Sequence, residues 1–286
     1  MSEQTTVAVL GYGTMGAGIA QVCAQAGLET LVVEAAQEPL AAGQRRLEAF
    51  LAEGVRRGKV DEAEREATLA RIRRTTDLAD CAGVDVAIEA VVEDLAVKRA
   101  LLGRLGEVVG ADTLVATNTS ALSVTELARA YAYPERVGGL HFFNPAPLMA
   151  LVEVVVAIDT SDETTAALTA FAEQIGKQPV TTKDRPGFLV NRLLMPYLNQ
   201  ALQAYDDGIA SARDVDAAVE LGLGYPMGPL TLLDLIGLDN HEHATSAAYE
   251  QTKDPDFAPP PLLSRMVDAG RLGRKSGRGL RVGVES

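Results

Sequence analysis

Residues 7–16 read Val-Ala-Val-Leu-Gly-Tyr-Gly-Thr-Met-Gly, and this segment indicates how the first half of the chain folds. Its four leading apolar residues predict a buried strand, and the alanine-rich segment 15–26 predicts a helix directly afterwards. Three glycines lie between them with dinucleotide-binding spacing. Gly11 permits the tight turn, Gly13 lets a pyrophosphate approach the backbone, and Gly16 lets the helix pack closely on the strand. We therefore predict a dinucleotide site at this turn.

The residues around this turn also indicate which dinucleotide binds. Thr14 and Met15 begin the helix, where unsatisfied backbone N–H groups and the helix dipole favour an anion. Glu34 ends the next apolar strand, 18 residues after Gly16, where an acid binds the adenosine ribose. Its carboxylate would repel the extra phosphate of NADP by on the order of 3 kcal/mol at roughly 5 Å. We therefore expect NAD.

Apolar runs continue to alternate with helical patterns through the first half of the chain. Further strands are predicted at 30–33, 84–88, 114–116, 137–142 and 152–158. Continuous apolar strands separated by helices are typical of a parallel sheet covered on both faces, so we predict an α/β, doubly wound Rossmann-type domain. The charged stretch 39–74, broken by a turn at 58–61, predicts a helical hairpin inserted in this domain.

The second half shows helical patterns alone, at 188–207, 212–221, 229–252 and 261–269. Charge, proline and glycine cluster at residues 183–187, which is typical of a boundary between domains. We therefore predict an NAD-binding sheet domain at 1–185 and an all-α domain at 186–286.

Composition narrows the class of protein. The 26 Lys and Arg against 39 Asp and Glu give 26 − 39 = −13, a charge that disfavours a nucleic-acid partner. The two cysteines form no disulfide framework and fit no metal spacing, and His241 and His243 lie on different faces of a helix, so no metal is expected. No signal peptide or membrane-spanning run is apparent, so we expect a cytoplasmic protein without membrane contact.

Two residues are candidates for proton transfer. His141 ends a predicted strand, at the edge where open α/β sheets bind ligands, and imidazole titrates in the range that a general base needs. Glu153 lies within an otherwise apolar strand, and a buried carboxylate needs a cationic or hydrogen-bonding partner. His141 could be that partner. A satisfied core histidine and an edge acid are the structural alternatives.

Together, these motifs make the chain similar to the 3-hydroxyacyl-CoA dehydrogenase family, especially its short bacterial 3-hydroxybutyryl-CoA members. The resemblance runs over nearly the whole chain, through residues 11–16, 89–93, 118–120, 141–145, 186–192, 226–230 and 272–277. It implies an NAD-dependent dehydrogenase acting at the 3-carbon of a short hydroxyacyl thioester. It also implies that the helical domain contributes to substrate binding and to a homodimer, with Tyr197, Leu198 and Leu202 as candidate contacts.

The resemblance assigns roles to individual residues. It implies that His141 is the general base and that Glu153 orients it and stabilises its charge. Ser120 and Asn191 match the positions that bind the substrate oxygen. Ser120 could instead be the N-cap of a short helix at 123–129.

Three further positions match contacts to the cofactor: Glu93, Lys98 and Asn118. Glu93 and Lys98 would lie near the nicotinamide ribose. A surface ion pair between Asp94 and Lys98, four residues apart on a helix, is the structural alternative.

Two carriers of the thioester are compatible with the sequence. Relatives often have a serine near Ala52 that contacts CoA, and this chain has alanine there, although Arg56, Arg57 and Lys59 could meet phosphates. A thioester of acyl carrier protein is therefore an alternative to CoA. A free hydroxy acid substrate and a non-enzymatic NAD-binding protein are less favoured alternatives.

Overall fold

The computed structural model describes residues 5–283. The chain divides into two compact units, Met1–Arg185 and Pro186–Ser286. The strands of the first unit are β1 Thr6–Leu10, β2 Glu29–Val33, β3 Ile72–Thr75, β4 Val86–Glu89, β5 Leu114–Thr117, β6 Val137–Phe142, β7 Leu151–Val156 and β8 Gln178–Lys183. Its helices are α1 Thr14–Gln25, α2 Gln37–Arg56, α3 Glu62–Ala70, α4 Leu95–Leu105, α5 Val124–Ala128 and α6 Asp162–Gln174.

The strands form one sheet in the order β3-β2-β1-β4-β5-β6-β7-β8. Strands β2 and β3 lie on one side of β1, and the chain then crosses to place β4 on the other side. The strand order therefore reverses between β1 and β4, and a Rossmann sheet binds its ligand at such a point. Alternate residues of β1 face opposite sides: Val7 and Val9 pack in one apolar core, and Ala8 and Leu10 pack in the other. The doubly wound prediction is confirmed.

The apolar runs predicted a parallel sheet, but one pair of its strands is antiparallel. β6 pairs antiparallel with β7, and β8 pairs parallel with β7. Residues 143–150 alone connect β6 to β7, and a parallel return would need a crossover of a dozen or more residues.

The predicted helical hairpin is present as α2 and α3, and a capping box of Asp61 and Glu64 starts α3. The hairpin is the connection from β2 to the parallel edge strand β3, rather than an addition to a finished sheet. The predicted hairpin extends to residue 74, but residues 72–75 form β3, a strand that is buried at Ile72 and that its arginines conceal in the sequence. Strand β8 was missed for a similar reason, since its residues are polar and largely exposed.

The second unit is helical in the part that the structure describes. Its helices are α7 Val190–Asp206, α8 Ala212–Leu223, α9 Pro229–Ile236, α10 Leu238–Thr252 and α11 Pro261–Asp268. The single helix predicted at 229–252 is two, because Gly237 takes a φ of 97° between α9 and α10. Across residues 5–283, no helix has both the length and the apolar character that crossing a bilayer demands.

A buried polar network connects α7 with α10. His241 Nε2 lies 2.9 Å from the Asn199 side-chain oxygen, and the Asn199 amide donates to Thr245 Oγ1 at 2.9 Å. The Thr245 hydroxyl in turn donates to the carbonyl of Phe257 at 2.7 Å. Burial lowers the pKa of His241 from 6.5 to about 4, because the charged ring would lose its hydration.

This network predicts acid-sensitive stability of the helical unit. The folded pKa of His241 lies below its unfolded value, so its contribution is complete above pH 6.5 and is lost as the pH falls towards 4. The loss amounts to on the order of 3 kcal/mol. Urea unfolding from pH 7 to 4 should therefore show a smaller decline in His241→Gln than in the wild type. Equal declines would contradict this role.

Candidate active site

The turn between β1 and α1 has the geometry of a phosphate-binding loop. Gly11 takes a φ of 102°, and a Cβ there would lie 2.6 Å from the carbonyl oxygen of Ala90. A Cβ on Gly16 would lie 1.9 Å from the carbonyl oxygen of Gly11, so only glycine permits this approach of helix to strand. Gly13 faces open space, with nothing within 4 Å of its Cβ position. Thr14 and Met15 follow as the first residues of α1.

Glu34 lies beside this turn and holds it. Its carboxylate accepts hydrogen bonds from the backbone N–H groups of Tyr12 and Ala35, both at 2.8 Å. A cavity of about 350 Å³ opens at the same edge of the sheet. Its lining includes Gly11, Glu34, Ala35, Leu78, Val91 and Leu101. A largely apolar cavity bordered by an acid and a glycine turn fits the adenosine half of a dinucleotide.

His141 and Glu153 face each other directly across the antiparallel pair β6–β7. His141 Nδ1 lies 2.6 Å from Glu153 Oε2. Glu153 is fully buried and His141 is 5 % exposed. The ring of Phe143 lies against the imidazole, with centroids 4.6 Å apart. A buried carboxylate therefore has the partner that its burial requires, and the imidazole is held at the carboxyl end of β6.

The loop between these strands is fastened by Lys177, which sequence reasoning did not single out. Its ammonium donates to the carbonyl oxygens of Ala146 and Met149 at 2.7 and 2.8 Å. Burial lowers the pKa of Lys177, since its acceptors are neutral carbonyls. A lysine at the start of a polar edge strand is ordinary in sequence, so only its long-range contacts reveal it.

The ends of β4 and β5 bring a second set of polar groups to this edge. Asn118 follows β5, and its side-chain oxygen accepts from the N–H of Phe142 at 2.9 Å, which fixes the end of β6. Glu93 accepts from Thr119 Oγ1 at 2.5 Å and from the N–H groups of Ser120 and Ala121 at 2.9 and 3.2 Å. Ser120 is exposed on this turn. Ser123, rather than Ser120, is the N-cap of α5.

The contacts of Lys98 rule out the surface ion pair that its spacing from Asp94 suggested. It does not form a surface ion pair with Asp94, which instead caps α4 through the N–H of Val97. Lys98 is 1 % exposed, and its ammonium lies 2.7 Å from Glu89 and 3.2 Å from Glu93. Burial alone would raise the pKa of Glu93, but the Lys98 charge and the bonds from Thr119 and Ser120 outweigh it and lower the pKa.

The remaining candidates lie on α7 and at the end of α2. Asn191 is half-buried in the first turn of α7, in the second unit. Arg56, Arg57 and Lys59 are exposed at the carboxyl end of the α2 segment, and Glu53 pairs with both arginines. In the range 5–283, no three His, Cys, Asp or Glu side chains are grouped as a metal ion would need.

Comparison with known proteins matches both units of the chain. Residues 6–185 match the family model for the 3-hydroxyacyl-CoA dehydrogenase NAD binding domain, and residues 187–282 match that for its C-terminal domain. A 3-hydroxybutyryl-CoA dehydrogenase of Mycobacterium tuberculosis is 47 % identical over 275 residues, 96 % of each chain. The mitochondrial hydroxyacyl-coenzyme A dehydrogenase of Sus scrofa is 42 % identical over 280 residues, 96 % of this chain and 89 % of the relative.

A solved structure agrees with these relatives. The (S)-3-hydroxybutyryl-CoA dehydrogenase of Ralstonia eutropha superimposes with a TM-score of 0.94 at 40 % identity, covering 99 % of this chain and 100 % of the other. The glycine turn, Glu34 and the adjoining cavity all lie within the residues that match the NAD binding domain. The chain belongs to the 3-hydroxyacyl-CoA dehydrogenase family and is an NAD-dependent oxidoreductase.

Proposed function

We propose that the protein interconverts a short 3-hydroxyacyl-CoA, of the size of 3-hydroxybutyryl-CoA, and its 3-oxoacyl form. The observation that carries this proposal is the 2.6 Å contact between His141 and Glu153 at the carboxyl edge of an NAD-binding sheet. Oxidation of a secondary alcohol needs a base for the hydroxyl proton, beside a hydride acceptor. The names of close relatives support the thioester and its chain length.

In the proposed mechanism, His141 moves the proton. Its Nδ1 donates to Glu153, which fixes the tautomer so that Nε2 accepts the hydroxyl proton of the substrate. The Glu153 carboxylate then stabilises the imidazolium that forms. NAD, when bound, supplies the hydride acceptor. In the reverse direction, the imidazolium returns the proton to the 3-oxygen.

Other residues bind and orient in this scheme. Ser120 donates to the substrate oxygen, and Asn118 holds the strand end that carries His141. Glu93, whose side chain is 38 % exposed, borders the nicotinamide ribose, whereas Lys98 is buried and acts through its contact with Glu93.

The turn residues and Glu34 bind the other half of the cofactor. Backbone N–H groups at Gly13, Thr14 and Met15 bind the pyrophosphate. Glu34 accepts from the adenosine ribose and disfavours NADP, as an acid at this position does in NAD-binding folds.

We propose CoA as the carrier, with the basic end of the α2 segment as its phosphate contact. Arg56 and Arg57 are largely exposed, with side chains 77 and 71 % accessible, and can turn from Glu53 to a phosphate because surface ion pairs are weak. A thioester of acyl carrier protein could use the same basic end, and this is the competing outcome of the substrate assay.

The assay compares acetoacetyl-CoA, acetoacetyl acyl carrier protein and free acetoacetate, following NADH oxidation. We expect turnover of the CoA thioester with a kcat/KM at least about tenfold above the other two, because the carrier contributes binding that is realised in the transition state. A preference for the protein-bound thioester would replace CoA with the alternative carrier. Activity on the free acid alone would contradict the proposal.

Two histidine variants test the role of His141 in this assay, one at His141 itself and one as a matched control. His141→Ala should reduce kcat by about 10² to 10⁴ while NADH still binds, because only proton transfer is lost. His243→Ala removes an exposed histidine of the second unit and should leave kcat unchanged. If His141→Ala turns over at the wild-type rate, His141 is not the base.

We also propose a homodimer formed by the helical unit. Leu198 and Leu202, the contacts suggested from the sequence, are fully buried in the core of their own unit and cannot form it. Leu221 and Leu223 at the end of α8 are instead 88 and 64 % exposed. Leucines exposed to this extent favour burial against another copy.

Light scattering should give twice the mass of one chain for the wild type. The double variant Leu221→Glu with Leu223→Glu should give the mass of one chain, because two charges would have to be buried in the interface. Ile158→Glu, at an equally exposed position of the sheet unit, is the matched control and should stay dimeric. A monomeric wild type, or a dimeric double variant, would contradict this surface.

A further inference from the structure

Glu89 is a buried carboxylate that the mechanism above leaves unused. It ends β4 and is fully buried. Its Oε1 accepts from the Lys98 ammonium and from the N–H of Val91, both at 2.7 Å. Its Oε2 accepts from Thr117 Oγ1 at 2.6 Å. Glu89 therefore binds groups from β5, from α4 and from the loop between β4 and α4.

The ammonium of Lys98 is oriented by Glu89. Its three acceptors are Glu89 Oε1 at 2.7 Å, Glu93 Oε2 at 3.2 Å and the carbonyl oxygen of Val91 at 3.4 Å. Because Lys98 is 1 % exposed, its charge has to be balanced within the protein, and the shorter contact is to Glu89. Glu89 is thus the main partner of the Lys98 ammonium, and Glu93 can accept hydrogen bonds from other donors.

Those other donors form the turn that carries Ser120. Glu93 Oε1 accepts from Thr119 Oγ1 and from the N–H groups of Ser120 and Ala121. A shift of Glu93 towards Lys98 would lengthen these bonds and turn Ser120.

A second connection reaches the same turn from Glu89. The Thr117 hydroxyl donates to Glu89 Oε2 and accepts from the N–H of Thr119 at 3.3 Å. Two chains of hydrogen bonds, one through Lys98 and Glu93 and one through Thr117, therefore lead from one carboxylate to one turn.

We propose that Glu89 is a positioning residue for Ser120, and that it acts through the negative charge with which it holds Lys98 away from Glu93. The link to catalysis rests on the role proposed for Ser120 above. The link from Glu89 to the turn does not, because it consists of contacts within the protein itself. The two can be tested separately.

The test uses Glu89→Gln in the full chain, which keeps the shape of the side chain and removes its charge. Hydrogen exchange without cofactor or substrate should be about tenfold faster at the amides of Ser120 and Ala121, with β1 and β2 unchanged, because Glu93 turns to Lys98. With cofactor and thioester, kcat should fall about tenfold while KM stays within about twofold. Unchanged exchange at residues 120–121 would overturn the proposal, as would equal acceleration throughout the sheet.

Two further variants separate charge from packing. Glu89→Asp keeps the charge but shortens the side chain, and it should retain more activity and slower exchange than Glu89→Gln; the opposite order would show a packing role and overturn the proposal. Asp85→Asn removes a carboxylate next to the other end of β4, where it accepts from Thr6, and should leave residues 120–121 and kcat unchanged. Acceleration there in Asp85→Asn would also count against a specific connection.

If Glu89→Gln does not fold, Thr117→Val tests the second connection without removing a charge. Faster exchange at Ser120 and Ala121 in this variant supports the proposal, and unchanged exchange overturns it. Failure of the proposed function looks different, because a wild-type protein that reduces no 3-oxoacyl thioester would still show the exchange differences.

Discussion

The hydrogen bond between His141 and Glu153 joins the two strands at the edge of the sheet where the candidate site lies. Each side chain would be unfavourable where it lies without the other, since an unpaired buried carboxylate carries a penalty of several kcal/mol. The antiparallel return of the chain through residues 143–150 makes them direct neighbours across two strands. An exposed histidine would sample several orientations, whereas this imidazole is held in one.

The site is built from strand ends, and each is tied to the next. Asn118 joins the end of β5 to that of β6, Lys177 fastens the loop beyond His141, and Glu93 holds the Ser120 turn. Most of these bonds involve an ionised group, which makes them stronger and more directional than bonds between neutral partners. The polar groups are therefore positioned before a ligand arrives, and binding energy is not spent on ordering them.

Parts of this picture were accessible from the sequence because their information is local. The glycine turn, its strand and helix, and Glu34 lie within 28 residues, and the change from strand to helical patterns is visible in composition. Glu89 and the antiparallel β7 were not accessible, because long-range pairing decides both. Lys98 shows the difference most clearly: helical spacing suggested Asp94 as its partner, yet the sheet places Glu89 closer. The motif at 89–93 marked Glu89, but a single acid at a strand end carries no indication that it is buried.

The tautomer of His141 shows whether Glu153 orients the imidazole. The chain has three histidines, so nitrogen NMR of ¹⁵N-histidine-labelled protein can be assigned with single substitutions. In cofactor-free protein with a neutral imidazole, we expect His141 to carry its proton on Nδ1, bonded to Glu153. This preference for the Nδ1 tautomer should be lost in Glu153→Ala. A proton on Nε2 in the wild type, or a tautomer that is the same without Glu153, would contradict the account.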